Sequence, residues 1–144
     1  MWLLNAKTYK LESFEGADIP KHAILSHRWE EDELTFKEVL KSRGRDKKGW
    51  TKIELCCKQA LDDKLDYAWV DTCCIDKRSS AELQEAINSM YKWYERVTVC
   101  YAYLSDVSVN KKNPKTTILK VSAWFTRGWT LQELLAPAEV VFYD

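Results

Sequence analysis

Glycine, proline and long apolar runs are scarce in this sequence, and each scarcity excludes a class of protein. Four glycines and three prolines among 144 residues argue against a collagen-like or low-complexity chain. No apolar run approaches the roughly 20 residues that a membrane span needs. The apolar stretch Met1–Leu4 is too short for the core of a signal peptide. The sequence therefore predicts a globular domain without a membrane span.

An excess of charge of one sign is also missing. The 22 basic and 22 acidic residues cancel, which leaves no electrostatic footprint for nucleic acid. The one local basic run, Lys41–Lys48, is interpreted as a solvated loop because acidic stretches lie near it. We therefore expect no nucleic-acid partner.

Histidine is rare, and the cysteines lack the spacing of a metal site or of a disulfide framework. The two histidines lie five residues apart, and no Cys-x-x-Cys pattern accompanies them. The five cysteines form two adjacent pairs and a single residue, which favours buried thiols in a reducing compartment: Cys56, Cys57, Cys73, Cys74 and Cys100. We predict a cytoplasmic protein that holds no metal and requires no cofactor.

What the sequence does contain is an alternation of short apolar runs with helical patterns. The predicted strands cover residues 22–26, 65–71, 98–104 and 139–143, and the predicted helices cover 33–40, 50–61, 79–97 and 129–135. Ser79 and Glu82 form a capping-box pattern at the start of the longest helix.

This alternation predicts an α/β domain. We expect a short parallel sheet of about four to five strands, flanked by helices in a flavodoxin-like three-layer arrangement. The domain would occupy residues 22–144, with residues 1–21 as an N-terminal lead-in. Such domains usually continue after a fourth strand, so a fragment, a truncated product and one half of a larger unit remain alternatives.

Ligands of open parallel sheets bind beyond the carboxyl ends of the strands, which selects a small set of polar and aromatic residues here. Glu133 lies on the helix that could reach the same edge, where it is either a site carboxylate or a solvated residue. Asp71 either contacts a ligand or holds its loop. The predicted site residues are Ser26, His27, Arg28, Trp29, Asp71, Thr72, Trp129 and Glu133.

Four stretches of the chain resemble the fungal heterokaryon incompatibility (HET) domain. They are HAILSHRW (22–29), AWVDTCCIDKRSSAELQEAINSMYKWY (68–94), VCYAYLSDV (99–107) and WFTRGWTLQELLAP (124–137). The resemblance extends over nearly all of residues 22–144. It implies a protein of fungal self/nonself recognition, in which activation of the domain leads to growth arrest and cell death.

Two shorter motifs are similar to Toll/interleukin-1 receptor (TIR) domains. Leu25–Arg28 looks like the Ser-x-Arg turn after their first strand, and Trp129–Leu134 looks like their Trp-Cys-Leu-x-Glu-Leu helix, with Thr130 in place of the cysteine. The resemblance implies a TIR-like fold with Glu133 as the catalytic residue in cleavage of NAD, which would be the substrate. Arg28 could then pair with the pyrophosphate, and Trp29 or Trp129 could stack on a base.

Three functions remain open at this point. The domain could be an NAD-cleaving death effector that is active when several copies self-associate. It could instead be a non-enzymatic adaptor that recruits other domains or proteins of the incompatibility system through helix 79–97 and loop 107–117. A hydrolase that uses Ser26 or a cysteine with His27 and Asp71 is the third alternative, although no Gly-x-Ser-x-Gly elbow is present.

Overall fold

The structure is a computed structural model that describes residues 1–108 and 122–144. Within these ranges the chain forms one six-stranded sheet, in the order β2-β1-β4-β3-β5-β6. The strands are β1 (Trp2–Asn5), β2 (Leu11–Ser13), β3 (Ala23–His27), β4 (Tyr67–Val70), β5 (Val99–Tyr103) and β6 (Val140–Tyr143).

The four predicted strands are present, each within two residues of its predicted ends. They are parallel, and in spatial order the second lies beside the first, followed by the third and the fourth. This is the order of a flavodoxin-like doubly wound sheet, whose strand order reverses between β3 and β5. The α/β class is confirmed.

Residues 1–21 add a hairpin to the sheet. β1 pairs antiparallel with both β2 and β4, so the sheet is mixed and has six strands rather than the predicted parallel four to five. These two strands contain four and three residues, too few to display a clear alternation of apolar and polar positions.

Helices cover both faces of the sheet. They are α1 (Phe36–Leu40), α2 (Lys48–Asp62), α3 (Ser80–Arg96) and α4 (Thr130–Leu135), with short 3₁₀ helices at Gly16–Asp18 and Ala123–Thr126. Trp69 of β4 contacts Trp93 of α3, whereas the Tyr101 hydroxyl of β5 donates to Asp63 at the end of α2. Trp69 is paired with Ile24 and Tyr101 with Leu25, the next residue of β3, so the two side chains point to opposite faces. α3 and α2 therefore lie on opposite faces of the sheet, which is the predicted three-layer arrangement.

Two features of the core hold the carboxyl ends of the central strands in place. The central strands are buried on both faces: Ile24 and Trp69 are inaccessible to solvent on one face, and Ala68 and Val70 on the other. Trp124, in the 3₁₀ helix Ala123–Thr126, packs with Ala102 and Leu104 in a separate apolar cluster. This cluster attaches the segment before α4 to the carboxyl end of β5. Most of the loop 107–117, predicted as an adaptor surface, lies outside the described residues.

Candidate functional site

A cavity of about 530 Å³ opens at the carboxyl edge of the sheet, between α3 and the segment that carries α4. Residues from four stretches of the chain line it: the end of β3, the loop after β4, α3, and the segment that carries α4. These residues are Arg28, Trp29, Asp71, Ile75, Lys77, Leu83, Ile87, Met90, Tyr94, Arg127, Gly128, Trp129, Gln132 and Glu133. The volume lies within the range typical of small-molecule sites.

Glu133 places a buried carboxylate in the wall of this cavity. The residue is only 4% exposed, yet it sits on a helix of six residues. The Thr130 hydroxyl donates a 2.6 Å hydrogen bond to the carbonyl of Trp124, which ties the first turn of α4 to the 3₁₀ helix. Glu133 is thereby turned inward, whereas Leu131 and Leu135 of the same helix point to solvent.

Two side chains hold the Glu133 carboxylate, and a third orients one of them. The Arg127 guanidinium donates to both of its oxygens, at 2.9 and 3.0 Å. The Ser26 hydroxyl donates to Oε2 at 2.5 Å, and Trp124 Nε1 in turn donates to Ser26 Oγ at 2.8 Å. A buried carboxylate requires this kind of pairing, because an isolated buried charge is very costly.

Asp71 provides a second carboxylate at the cavity. Its Oδ2 accepts a 2.6 Å hydrogen bond from Trp29 Nε1, and Lys77 Nζ lies 3.6 Å from the centre of the Trp29 ring. Burial raises the pKa of Asp71 to about 6, although the hydrogen bond from Trp29 opposes the increase. This carboxyl group can therefore gain or lose a proton near neutral pH. Burial also lowers the pKa of Lys77.

His27 does not line the cavity. β3 extends one residue beyond the predicted end, so the His27 side chain points to the face of the sheet opposite Ser26. There its Nε2 lies 3.8 Å from Glu33 Oε2 and 3.7 Å from Asp71 Oδ1. Burial holds the pKa of His27 well below its usual value, and Lys52, which is ion-paired with Glu33, adds to this effect.

This placement bears on the hydrolase alternative. Ser26 and His27 lie on opposite faces of the sheet, and the Ser26 hydroxyl donates to Glu133 rather than to an imidazole. The five cysteines are all buried, and burial raises the pKa of Cys57 to about 12. The described residues contain no nucleophile paired with a histidine base, which is the feature that such a hydrolase needs.

The remaining predicted site residues divide into two groups. Arg28, Trp29 and Trp129 reach the cavity, and both tryptophans are about half exposed, at 53% and 49%. Thr72 is buried and lies outside the lining of the cavity. Within residues 1–108 and 122–144, no cluster of three or more histidine, cysteine, aspartate or glutamate side chains is suited to a metal ion.

Reasoning from the sequence did not predict the ion pair of Arg127 or the position of three apolar α3 residues at the cavity. Arg127 stands six positions before its partner Glu133, across a turn, and no helical or strand period links such a pair. Leu83, Ile87 and Met90 lie on the long helix and line the cavity, and Leu83 and Met90 also pack against the core. The 44% exposure of Ile87 shows that α3 does not bury this end of its apolar face against the sheet.

A doubly wound α/β domain with a ligand-sized cavity at the carboxyl edge defines the class of this protein. The family model described as "Heterokaryon incompatibility protein (HET)" matches residues 22–118. The chain belongs to this family.

A characterised relative supports the same assignment. The chain is 50% identical, over 134 residues, to vegetative incompatibility protein HET-E-1 of Podospora anserina. The aligned region covers 88% of this chain and 10% of that protein, so the chain spans about a tenth of the length of this relative. No solved structure matches. None of the helices within the described ranges has the length and apolar character needed to cross a membrane.

Proposed function

We propose that this domain is an effector of heterokaryon incompatibility and that it acts by binding and hydrolysing NAD in the cavity at the carboxyl edge. Family membership and the relationship to HET-E-1 support the biological role. The observation that carries the chemical proposal is the buried Glu133 carboxylate in the wall of a nucleotide-sized cavity.

The lining of the cavity suits a dinucleotide. Arg28, Lys77 and Arg127 offer three cations for a pyrophosphate group, and guanidinium groups bind phosphate with two parallel hydrogen bonds. Trp29 and Trp129 present partly exposed rings on which a base can stack. Leu83, Ile87 and Met90 of α3 provide the apolar surface that such sites usually contain.

The two carboxyl groups suit the cleavage step. When the bond between nicotinamide and ribose breaks, nicotinamide leaves as a neutral molecule with the bonding electron pair, and positive charge develops on the ribose. Glu133 would stabilise this charge, as carboxylates do in glycoside hydrolysis. Water then bonds to the ribose carbon and releases one proton, which Asp71 would accept. The products are ADP-ribose, nicotinamide and that proton.

The exposed surface of α4 supports activation by self-association. Leu131 and Leu135 are 69% and 71% exposed and lie four residues apart, so they share one face of the helix that carries Glu133. Contact between two copies over this face would bury both leucines and restrain α4. The same face favours the second candidate function, a non-enzymatic adaptor that recruits another domain or protein of the incompatibility system.

An assay of NAD consumption separates the two functions. The purified domain would be incubated with NAD at high protein concentration, with release of nicotinamide as the readout. Glu133→Gln tests the site because it removes the charge and keeps the size of the side chain. Glu139→Gln is the matched control, since Glu139 is an exposed glutamate outside the cavity.

Each outcome of the assay has a clear meaning. Turnover by the wild type and by Glu139→Gln, but not by Glu133→Gln, supports the proposed hydrolysis. No turnover, even when copies are fused to a self-assembling carrier, favours the adaptor. Toxicity in cells that persists in a folded Glu133→Gln variant would also contradict the enzymatic function.

A further inference from the structure

Both oxygens of the Glu133 carboxylate are occupied by protein groups in this structure. Arg127 binds Oε1 and Oε2, and Ser26 also binds Oε2. In this arrangement the carboxylate has little capacity left for the hydroxyl groups or the developing charge of a ribose. Three of its roughly four acceptor positions are filled, so a ligand can form two or more hydrogen bonds to it only after one of these partners has moved.

Arg127 is the partner that can move. Ser26 is buried in β3 and accepts a hydrogen bond from Trp124, which is itself buried. The Arg127 side chain is 20% exposed, whereas that of Glu133 is 5% exposed. Arg127 lies between the 3₁₀ helix and α4, and it is followed by Gly128, which has no atom within 4 Å of where a Cβ would be. Arg127 also lines the cavity.

We propose that Arg127 exchanges partners when a ligand binds: it leaves Glu133 and pairs with the diphosphate of a nucleoside diphosphate sugar. This inference rests on the proposed function in that it assigns the same cavity a ligand class and a means of control. In the absence of ligand, Arg127 occupies the Glu133 carboxylate. When the diphosphate binds Arg127 instead, the carboxylate becomes free to contact the rest of the ligand.

The chemistry of the two anions makes this exchange possible. A guanidinium group forms the same two-point hydrogen bonds with a phosphate as with a carboxylate. Arg28 and Lys77 line the same cavity and would add their charge to the phosphate side of the exchange. The released carboxylate would then accept hydrogen bonds from the ribose hydroxyl groups of the ligand, which replace those lost from Arg127.

The inference predicts effects of opposite sign for the two members of the pair. ADP-ribose is the probe, and isothermal titration calorimetry measures its affinity without any need for turnover. Arg127→Gln should weaken binding roughly tenfold or more, because a charge-assisted contact is lost. Glu133→Gln should strengthen binding by up to roughly tenfold, because Arg127 is no longer held by a carboxylate while the Gln amide oxygen can still accept from a ribose hydroxyl. Arg96→Gln, near the opposite edge of the sheet, is the control and should leave the affinity unchanged.

A double mutant separates exchange from a general effect of charge. If Glu133→Gln acts by releasing Arg127, its gain in affinity should vanish in the Arg127→Gln background. If it acts only by removing a negative charge from the cavity, the gain should persist there, and the inference would be wrong. Equal affinities of the wild type and Arg127→Gln would also overturn it, as would the absence of ADP-ribose binding in every variant.

Two further readouts keep the interpretation clear. Arg127→Lys retains the charge but not the two-point geometry, so its affinity should lie between those of the wild type and Arg127→Gln; an affinity equal to that of the wild type would count against the exchange. Urea denaturation confirms that each variant is folded before it is titrated. If the predicted pattern of affinities appears but NAD is never consumed, the exchange stands and the proposed hydrolysis fails.

Discussion

The hydroxyl of Ser26, near the end of β3, donates a 2.5 Å hydrogen bond to Glu133, which lies 107 residues further along the chain. Ser26→Ala would remove this donor and would also leave the buried Trp124 Nε1 without its acceptor. An unsatisfied buried donor costs about 1–3 kcal/mol. We therefore expect the free energy of unfolding, measured by urea denaturation, to fall by about that amount.

Ser105→Ala is the control for this prediction. Ser105 follows β5 at the same edge of the sheet, but it is exposed. Its substitution should change the free energy of unfolding by less than about 0.5 kcal/mol. Equal stability of the two variants would mean that the hydrogen bonds of Ser26 contribute nothing to the fold.

Ser26 and Glu133 could be predicted because each is tied to a recognisable local pattern. An apolar run marks the end of β3, and the helical pattern before Pro137 marks α4. His27 was placed in the loop after the strand, but it is the last residue of β3. The difference of one residue matters because neighbouring side chains of a strand point to opposite faces. The ion pair between Arg127 and Glu133 was not predicted, because the two residues meet across a turn. β1 and β2 were too short for their pattern to be read.

Asp71 should destabilise the folded domain above about pH 6. Burial raises its folded pKa from 3.8 to about 6, so the folded state favours the protonated form. The stability that this proton contributes is fully present below about pH 4 and is lost as the pH rises through 6. Asp71→Asn should therefore be more stable than the wild type at pH 8, by on the order of 2 kcal/mol, with no advantage at pH 4.

Urea denaturation at these two pH values tests the prediction. Asp71→Asn retains an oxygen that can accept the hydrogen bond from Trp29. Asp18→Asn, at an exposed aspartate, is the control and should show little dependence on pH. A loss of stability in Asp71→Asn at pH 8 would show that the charged form of Asp71 is worth more than its burial costs.

The thiols should be unreactive while the domain is folded. All five cysteines are buried, and burial raises the pKa of Cys57 to about 12 and those of Cys56 and Cys100 in the same direction. Because the thiolate is the reactive form, a thiol-specific reagent at pH 8 should label none of them in the native state. All five should react in denaturant. Rapid labelling of one thiol under native conditions would reveal local opening around it.

His27 should give the domain an acid-sensitive stability. Its pKa lies well below 6.5 in the folded state, chiefly because the ring is buried, and the Lys52 and Arg127 charges act in the same direction. The unfolded chain takes up a proton at this residue below about pH 6.5, whereas the folded chain does not. The free energy of unfolding should then fall by up to about 1.4 kcal/mol per pH unit below 6.5.

This contribution is best measured in the Asp71→Asn background, because Asp71 titrates over the same pH range with the opposite sign. His27→Gln in that background should reduce the loss of stability between pH 6.5 and pH 4.5. His22, whose pKa is also lowered by burial, should leave a smaller slope of the same sign. If His27→Gln leaves the slope unchanged, His27 must become protonated within the folded domain, and its imidazolium would then be stabilised by Glu33, 3.8 Å away.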